Sequence, residues 1–297
     1  MFDLETVSDR ALRSSAARWV GLAVGVVALG FLAQTLAADR ARALEWVSSI
    51  TPGGLAAFIV GFAIFHVGAV ATLGPLLRDS QPALSIWSAA QLAKYLPVPG
   101  SAVVGMVGTT VRRGGTTRQG LGLIIRHTLL HMGAATAVGS VSVAAAAAGV
   151  GVPAPLTAAV AVIAGVGVAW LALRPLPAAT AAGAIALAVA TWALLGGLLA
   201  VGFDAGGGAW LTVAGAYPAS WVAGQLVVPV PAGIGVRESA LLVLLGGALG
   251  AVGAATFALG TRLLHVASDG ALAGVAHGWQ AWRRARGAPA PDPDETA

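Results

Sequence analysis

The chain has no cysteine, one lysine, two tyrosines and little charge of either sign, with Asp, Glu, Lys and Arg making up 10% of its 297 residues. Without cysteine there are no disulfides, thiolate metal sites or cysteine nucleophiles. The shortage of charge excludes an ordinary water-soluble domain, in which about a quarter of residues are charged. Also missing are a G-x-S-x-G elbow, a P-loop, the H-E-x-x-H metal pattern and the paired acidic motif of a metal-dependent transferase, so the familiar catalytic signatures are absent. Apolar residues take the place of charge: they make up 57% of the sequence, and the mean hydropathy is +0.84. This composition describes an integral membrane protein.

Apolar runs long enough to cross a bilayer, about 20 residues each, extend over Trp19 to Ala38, Gly53 to Leu77, Leu121 to Gly149, Ala154 to Leu173, Ala178 to Val201 and again beyond Gly250. The length of the first run and its acidic flank (Asp3, Glu5, Asp9) fit a retained span rather than a cleaved signal peptide. Arg10, Arg13 and Arg18 before it place the N-terminus in the cytoplasm by the positive-inside rule. The same rule puts Arg78, the Arg112, Arg113 and Arg118 cluster, Arg174, and the closing Arg283, Arg284 and Arg286 on the inside. Both termini are therefore expected to be cytoplasmic, in a multi-pass protein of the cell (inner) membrane. Residues 1–286 read as a single membrane domain, and the proline-rich acidic stretch 287–297 as a disordered tail. The net charge of +5 reflects topology rather than a nucleic-acid partner.

Two stretches interrupt the apolar pattern in the same way. QLAKYLPVPG runs from Gln91 to Gly100, and QLVVPVPAGIGVRE from Gln225 to Glu238. The apolar pieces flanking the first break, Pro82 to Leu96 and Ser101 to Val111, rise about 22 and 16 Å, short of a hydrocarbon core of about 30 Å. They read as a re-entrant hairpin. The second break separates Trp210 to Val228 from Val236 to Leu249, where a pair of full crossings stays open as an alternative. An odd number of spans between the breaks makes the second hairpin enter from the opposite face, as an inverted repeat with a central site does. The expected fold class is thus all-α, a polytopic helical membrane protein of about six full spans plus two re-entrant helical hairpins in an inverted repeat. The plainer alternative, that proline and glycine only kink two packed helices, stays open.

Lys94, Arg126, Arg237, Glu238, Arg262 and Asp269 lie in or beside apolar segments, together with His66, His127, His131 and His265. Ionisable groups at such depth are costly and usually face a bundle interior. The basic excess suits a phosphate-bearing headgroup, which arginine grips bidentately. Glu238 has a structural alternative as an ion-pair partner. His127 and His131 share a helical face but have no carboxylate beside them, so a packed or hydrogen-bonded pair is expected rather than a metal site. Arg262, His265 and Asp269 also share a face.

These residues carry a family resemblance. QLAKYLPVPG with the downstream R-R-G-G from Arg112, then P-A-G-I-G-V-R-E from Pro231 to Glu238 and T-R-L-L from Thr261, resembles the transmembrane domain of the lysylphosphatidylglycerol synthase family, also described as the flippase-like or UPF0104 group. The resemblance implies a polytopic fold that moves lipids or lipid-linked groups between leaflets. Matched by position, it assigns functional places to Gln91, Lys94, Tyr95, Pro97 and Gly100 in the first motif and to Pro231, Gly233, Gly235, Arg237 and Glu238 in the second. Gln225, which opens the second motif as Gln91 opens the first, joins Arg126 and Arg262 to complete the candidate substrate-binding set. Where family members often carry E-R-x-x-D, this chain has Ile125-Arg126-His127-Thr128-Leu129, which keeps the arginine and loses both acids. The soluble synthase domain has no counterpart in these residues, so translocation without lipid synthesis is expected.

The expected function is a flippase for an anionic phospholipid or lipid-linked headgroup. Its partners would be membrane lipids, with no nucleic acid and no cofactor, and a homo-oligomer is compatible with it. An intramembrane enzyme acting on a lipid or lipid-linked sugar, with His127, His131 or Glu238 as acid or base, and a non-transporting partner subunit remain as alternatives.

Overall fold

The computed structural model describes residues 34, 37, 40–48, 50–77, 83–95, 101–148, 151, 153–206, 209–227, 233 and 235–286. The expected first span apart from Gln34 and Ala37, the tail, and Pro97, Gly100 and Pro231 lie outside the described residues.

Described structure is helical: α1 (Arg40–Ser48), α2 (Pro52–Leu73), α3 (Ala83–Ala93), α4 (Ser101–Val111), α5 (Thr117–Ala148), α6 (Ala154–Leu173), α7 (Ala178–Gly202), α8 (Trp210–Leu226) and α9 (Val236–Ala285). Among them α2, α5, α6, α7 and α9 are long and apolar enough to cross a membrane. The start of α2 follows from local chemistry. Thr51 accepts the Gly54 N–H at 3.0 Å, and Pro52 occupies the first turn, where its missing N–H costs nothing.

Outward-facing side chains are apolar. Ile163 on α6 is 72% exposed and Val243 on α9 is 77% exposed. In water such faces would drive aggregation. Lipid solvates them at no cost, which makes this a membrane-embedded protein. With no hydrophobic force to press helices together in lipid, close packing has to do so. A Cβ on Gly133 of α5 would strike the Gly165 carbonyl of α6, and one on Gly196 of α7 would strike the Ala214 carbonyl of α8. Glycine at these positions lets the backbones touch.

The long helix α9 is two antiparallel arms. Glu238 and Arg262 are 3.6 Å apart, whereas 24 residues of straight helix would separate them by about 36 Å. The reversal lies at Gly250, midway between them in sequence, with φ 70° and ψ 170°. That conformation is essentially restricted to glycine. A Cβ there meets nothing within 4 Å, so Gly250→Ala should cost about 1–3 kcal/mol through backbone strain alone. Chemical unfolding in detergent measures it.

The second arm, 251–285, orders the remaining parts. Ser85, early in α3, accepts from Gln280 at 2.8 Å and from Arg113, just beyond α4, at 3.4 Å. The outer ends of α3 and α4 therefore lie together at one end of the bundle, the end that also carries Arg112, Arg118, Arg283 and Arg286. At its far end α3 delivers Lys94 and Tyr95 to Asp269 on the same arm. The α8 hairpin reaches this level from the other direction, since Arg237 lies at the start of the arm 236–249, which ends at Gly250. Arg262 is about 18 Å of helix from Gly250, and Asp269 about 16 Å from Gln280. The two hairpins meet near the middle of the second arm, with tips opposed.

Candidate functional site

At this meeting point lies a cavity of about 400 Å³. Its polar wall includes Gln91, Lys94, Tyr95, Gln225, Gly233, Arg237, Arg262 and His265, and its apolar wall Phe65, Trp87, Met106 and Trp221. Neither Asp269 nor Glu238 is in the lining. Both are buried behind the cations.

Asp269 anchors the first hairpin. Its Oδ2 accepts from Tyr95 at 2.5 Å and from Lys94 at 2.8 Å. Lys94 also donates to Gln91 Oε1 at 2.5 Å and to His265 Nε2 at 3.1 Å. An ammonium has three hydrogens, and here all three are taken. Lys94 is thus a strut between the hairpin tip and α9, a role that its position beside a proline break did not reveal.

The histidine tautomers follow from donors of fixed identity. An indole can only donate, so Trp87 Nε1, 3.2 Å from His66 Nδ1, makes that nitrogen an acceptor. The His66 proton is therefore on Nε2, which donates to Ser268 Oγ at 3.1 Å, and the Ser268 hydroxyl in turn donates to the His265 carbonyl at 2.7 Å. Because Lys94 occupies His265 Nε2, the His265 proton is on Nδ1 and donates to Tyr217 at 2.6 Å. This chain connects α2, α3, α8 and α9.

Glu238 is held by its own helix. Its Oε2 accepts the Gly235 N–H at 2.6 Å, the returning half of a capping box, and Oε1 faces Arg262 at 3.6 Å. The ion-pair alternative raised by the sequence is the arrangement found. Gly235 and Gly233 have φ of 88° and 63°, left-handed values that glycine adopts without strain. Close to Gly233, Gly224 leaves room for the Arg237 stem, whose Cγ would lie 2.5 Å from a Cβ placed there.

Arg237 differs from the other cations. It is 7% exposed, its guanidinium lies over the Tyr217 ring at 5.0 Å, and its Nε has no hydrogen-bond partner. Among the described residues no carboxylate forms an ion pair with it. Asp269 pairs with Lys94 and Glu238 with Arg262, so among the described residues Arg237 shares Glu238 at longer range and has Tyr217 as its near partner.

Arg126 does not reach this assembly. It is on the exposed face of α5 and outside the cavity lining. The cause is helical phase: its neighbour His127 faces inward, and one residue on a helix turns about 100°. His127 Nε2 donates to the Ala69 carbonyl at 2.9 Å, and His131 Nε2 lies 2.9 Å from the Thr72 hydroxyl, so the two histidines form a hydrogen-bonded pair around α2. Among the described residues no group of three His, Asp or Glu side chains is placed to hold a metal. Ser220 donates to the Tyr217 carbonyl at 2.8 Å. Thr72→Val leaves the His131 Nε2 proton buried without an acceptor, which should cost about 1–3 kcal/mol. Comparing denaturant midpoints of the two proteins tests this.

Sequence reasoning missed Trp87, Tyr217 and Trp221, which carry no motif. Asp269 was visible through its shared face with Arg262 and His265. No protein-family model matches the chain, and no curated protein matches it. Fold and site together define a helical membrane protein with a buried, cation-lined cavity between two opposed hairpins.

Proposed function

We propose that this protein is a lipid translocator of the flippase-like group, moving an anionic phospholipid or lipid-linked headgroup between leaflets of the cell membrane. Arg237 carries the reading. A buried cation with no carboxylate in direct contact among the described residues, and with its Nε unpartnered there, is costly in a low-dielectric interior, and a headgroup phosphate supplies both close charge and an acceptor for the guanidinium. Arg262 stands beside it, while Lys94 fixes the tip. Ile125 and Val227 line the cavity and are also exposed, at 56% and 38%. They give the acyl or prenyl chain an apolar route along which it stays in lipid.

In this reading the α3–α4 and α8–α9 pairs are re-entrant hairpins of an inverted repeat, and their tips share a site near the bilayer midplane. The end of the bundle bearing Arg112, Arg113, Arg118, Arg283 and Arg286 is cytoplasmic.

The test is leaflet exchange in proteoliposomes. Labelled phosphatidylglycerol should exchange faster than in empty liposomes, while phosphatidylcholine should not. Equal rates with and without protein for a series of anionic lipids would remove the proposal.

A further inference from the structure

The cavity offers neutral hydrogen-bonding groups as well as charge. Gln91, Thr128 and Gln225 all line it. Lys94 can only donate, so it fixes the Gln91 amide with the oxygen toward itself, and among the described residues the NH₂ group makes no hydrogen bond. Among the described residues, the Thr128 hydroxyl and the Gln225 amide also make no hydrogen bond within the protein. Trp87 and Trp221 form flat apolar walls nearby, and the indole N–H of Trp87 is already committed to His66.

Resting on the translocator reading, we propose that the headgroup is a phosphate ester of an uncharged polyol or sugar and carries no ammonium group. A phosphate alone answers Arg237 but leaves the amides and the hydroxyl idle. Sugar or glycerol hydroxyls, which both donate and accept, can pair with all three. The C–H faces of such a group pack against the indoles. A cavity of about 400 Å³ is of the size that holds a whole small ligand rather than a bare ion. An ammonium group would meet Lys94, Arg237 and Arg262, with no carboxylate among the described lining residues. Paired tryptophans elsewhere can cage quaternary ammonium, but here the excess positive charge opposes it.

The full chain, purified in detergent, is titrated calorimetrically with glucose 1-phosphate, glycerol 1-phosphate, inorganic phosphate and phosphocholine. The two polyol phosphates should bind at least about tenfold more tightly than inorganic phosphate, and phosphocholine should bind most weakly. Thr128→Val and Gln225→Leu should each reduce the polyol advantage and leave inorganic phosphate unchanged. Phosphocholine binding as tightly as the polyol phosphates, or no advantage over inorganic phosphate, overturns the headgroup assignment while the anion site stands. No binding of any of the four overturns the anion site itself. Phosphatidylglycerol in mixed micelles should displace glucose 1-phosphate. If it does not, the site serves free polyol phosphates, and the translocator reading falls while the headgroup chemistry remains.

Discussion

Asp269→Leu is expected to destabilise the detergent-solubilised protein by about 3–5 kcal/mol, because removing one partner of a buried ion pair leaves the other charge uncompensated. The carboxylate is fully buried and receives both Lys94 and Tyr95. Its loss strands an ammonium and a phenol at the tip of the first hairpin. The double change Lys94→Met with Asp269→Leu should recover most of the loss, since replacing both members of a buried pair with apolar groups is often close to neutral. A double-mutant cycle measured by reversible unfolding separates the coupling from general packing damage. If the double variant were as unstable as the single one, Lys94 would not be the partner that matters.

Arg237→Ala should reduce exchange of the anionic lipid by roughly ten- to hundredfold, toward the rate of empty liposomes. A hydrogen bond to a charged group is worth about 1.5–3 kcal/mol, and each 1.4 kcal/mol is about a factor of ten. Stability should fall less than it does on losing Asp269, because Glu238, the carboxylate that also feels Arg237, keeps Arg262 at 3.6 Å. Arg126→Ala is the matched control. It removes the same charge from an exposed position outside the cavity and should leave exchange within about twofold, a change worth less than 0.5 kcal/mol by the same relation. Comparable losses in the two variants would mean that net charge, rather than the cavity, sets the rate.

Much of this arrangement was legible in the sequence because lipid simplifies the rules. Apolar runs bounded by arginine give α2, α5, α6 and α7, and the short pieces around the proline breaks give α3, α4 and α8. The charges beside the breaks point to the site. Other features depend on information that a linear pattern does not contain. Gly250 is one of 41 glycines, and only its dihedral angles and the Glu238–Arg262 pair reveal a reversal there. Arg126 and His127 are equally polar neighbours, and which of them faces inward depends on helix rotation set by the packing of α5 against α6 and α8. Lys94 reads as a receptor from its charge, yet three acceptors, Gln91 on α3 and His265 and Asp269 on α9, saturate it. Trp87 and Trp221 are two of nine tryptophans, and nothing local marks them as cavity walls.

The central claim is that two hairpins approach from opposite faces and share one site, and the absence of cysteine makes it directly measurable. Arg112→Cys lies just beyond the first hairpin and Ala248→Cys near the end of the arm 236–249. Both positions are exposed. In sealed vesicles of defined orientation, a membrane-impermeant thiol reagent should label Arg112→Cys only from the cytoplasmic side and Ala248→Cys only from the opposite side. Labelling of both from the same side would contradict the opposed-hairpin architecture and the midplane site that depends on it.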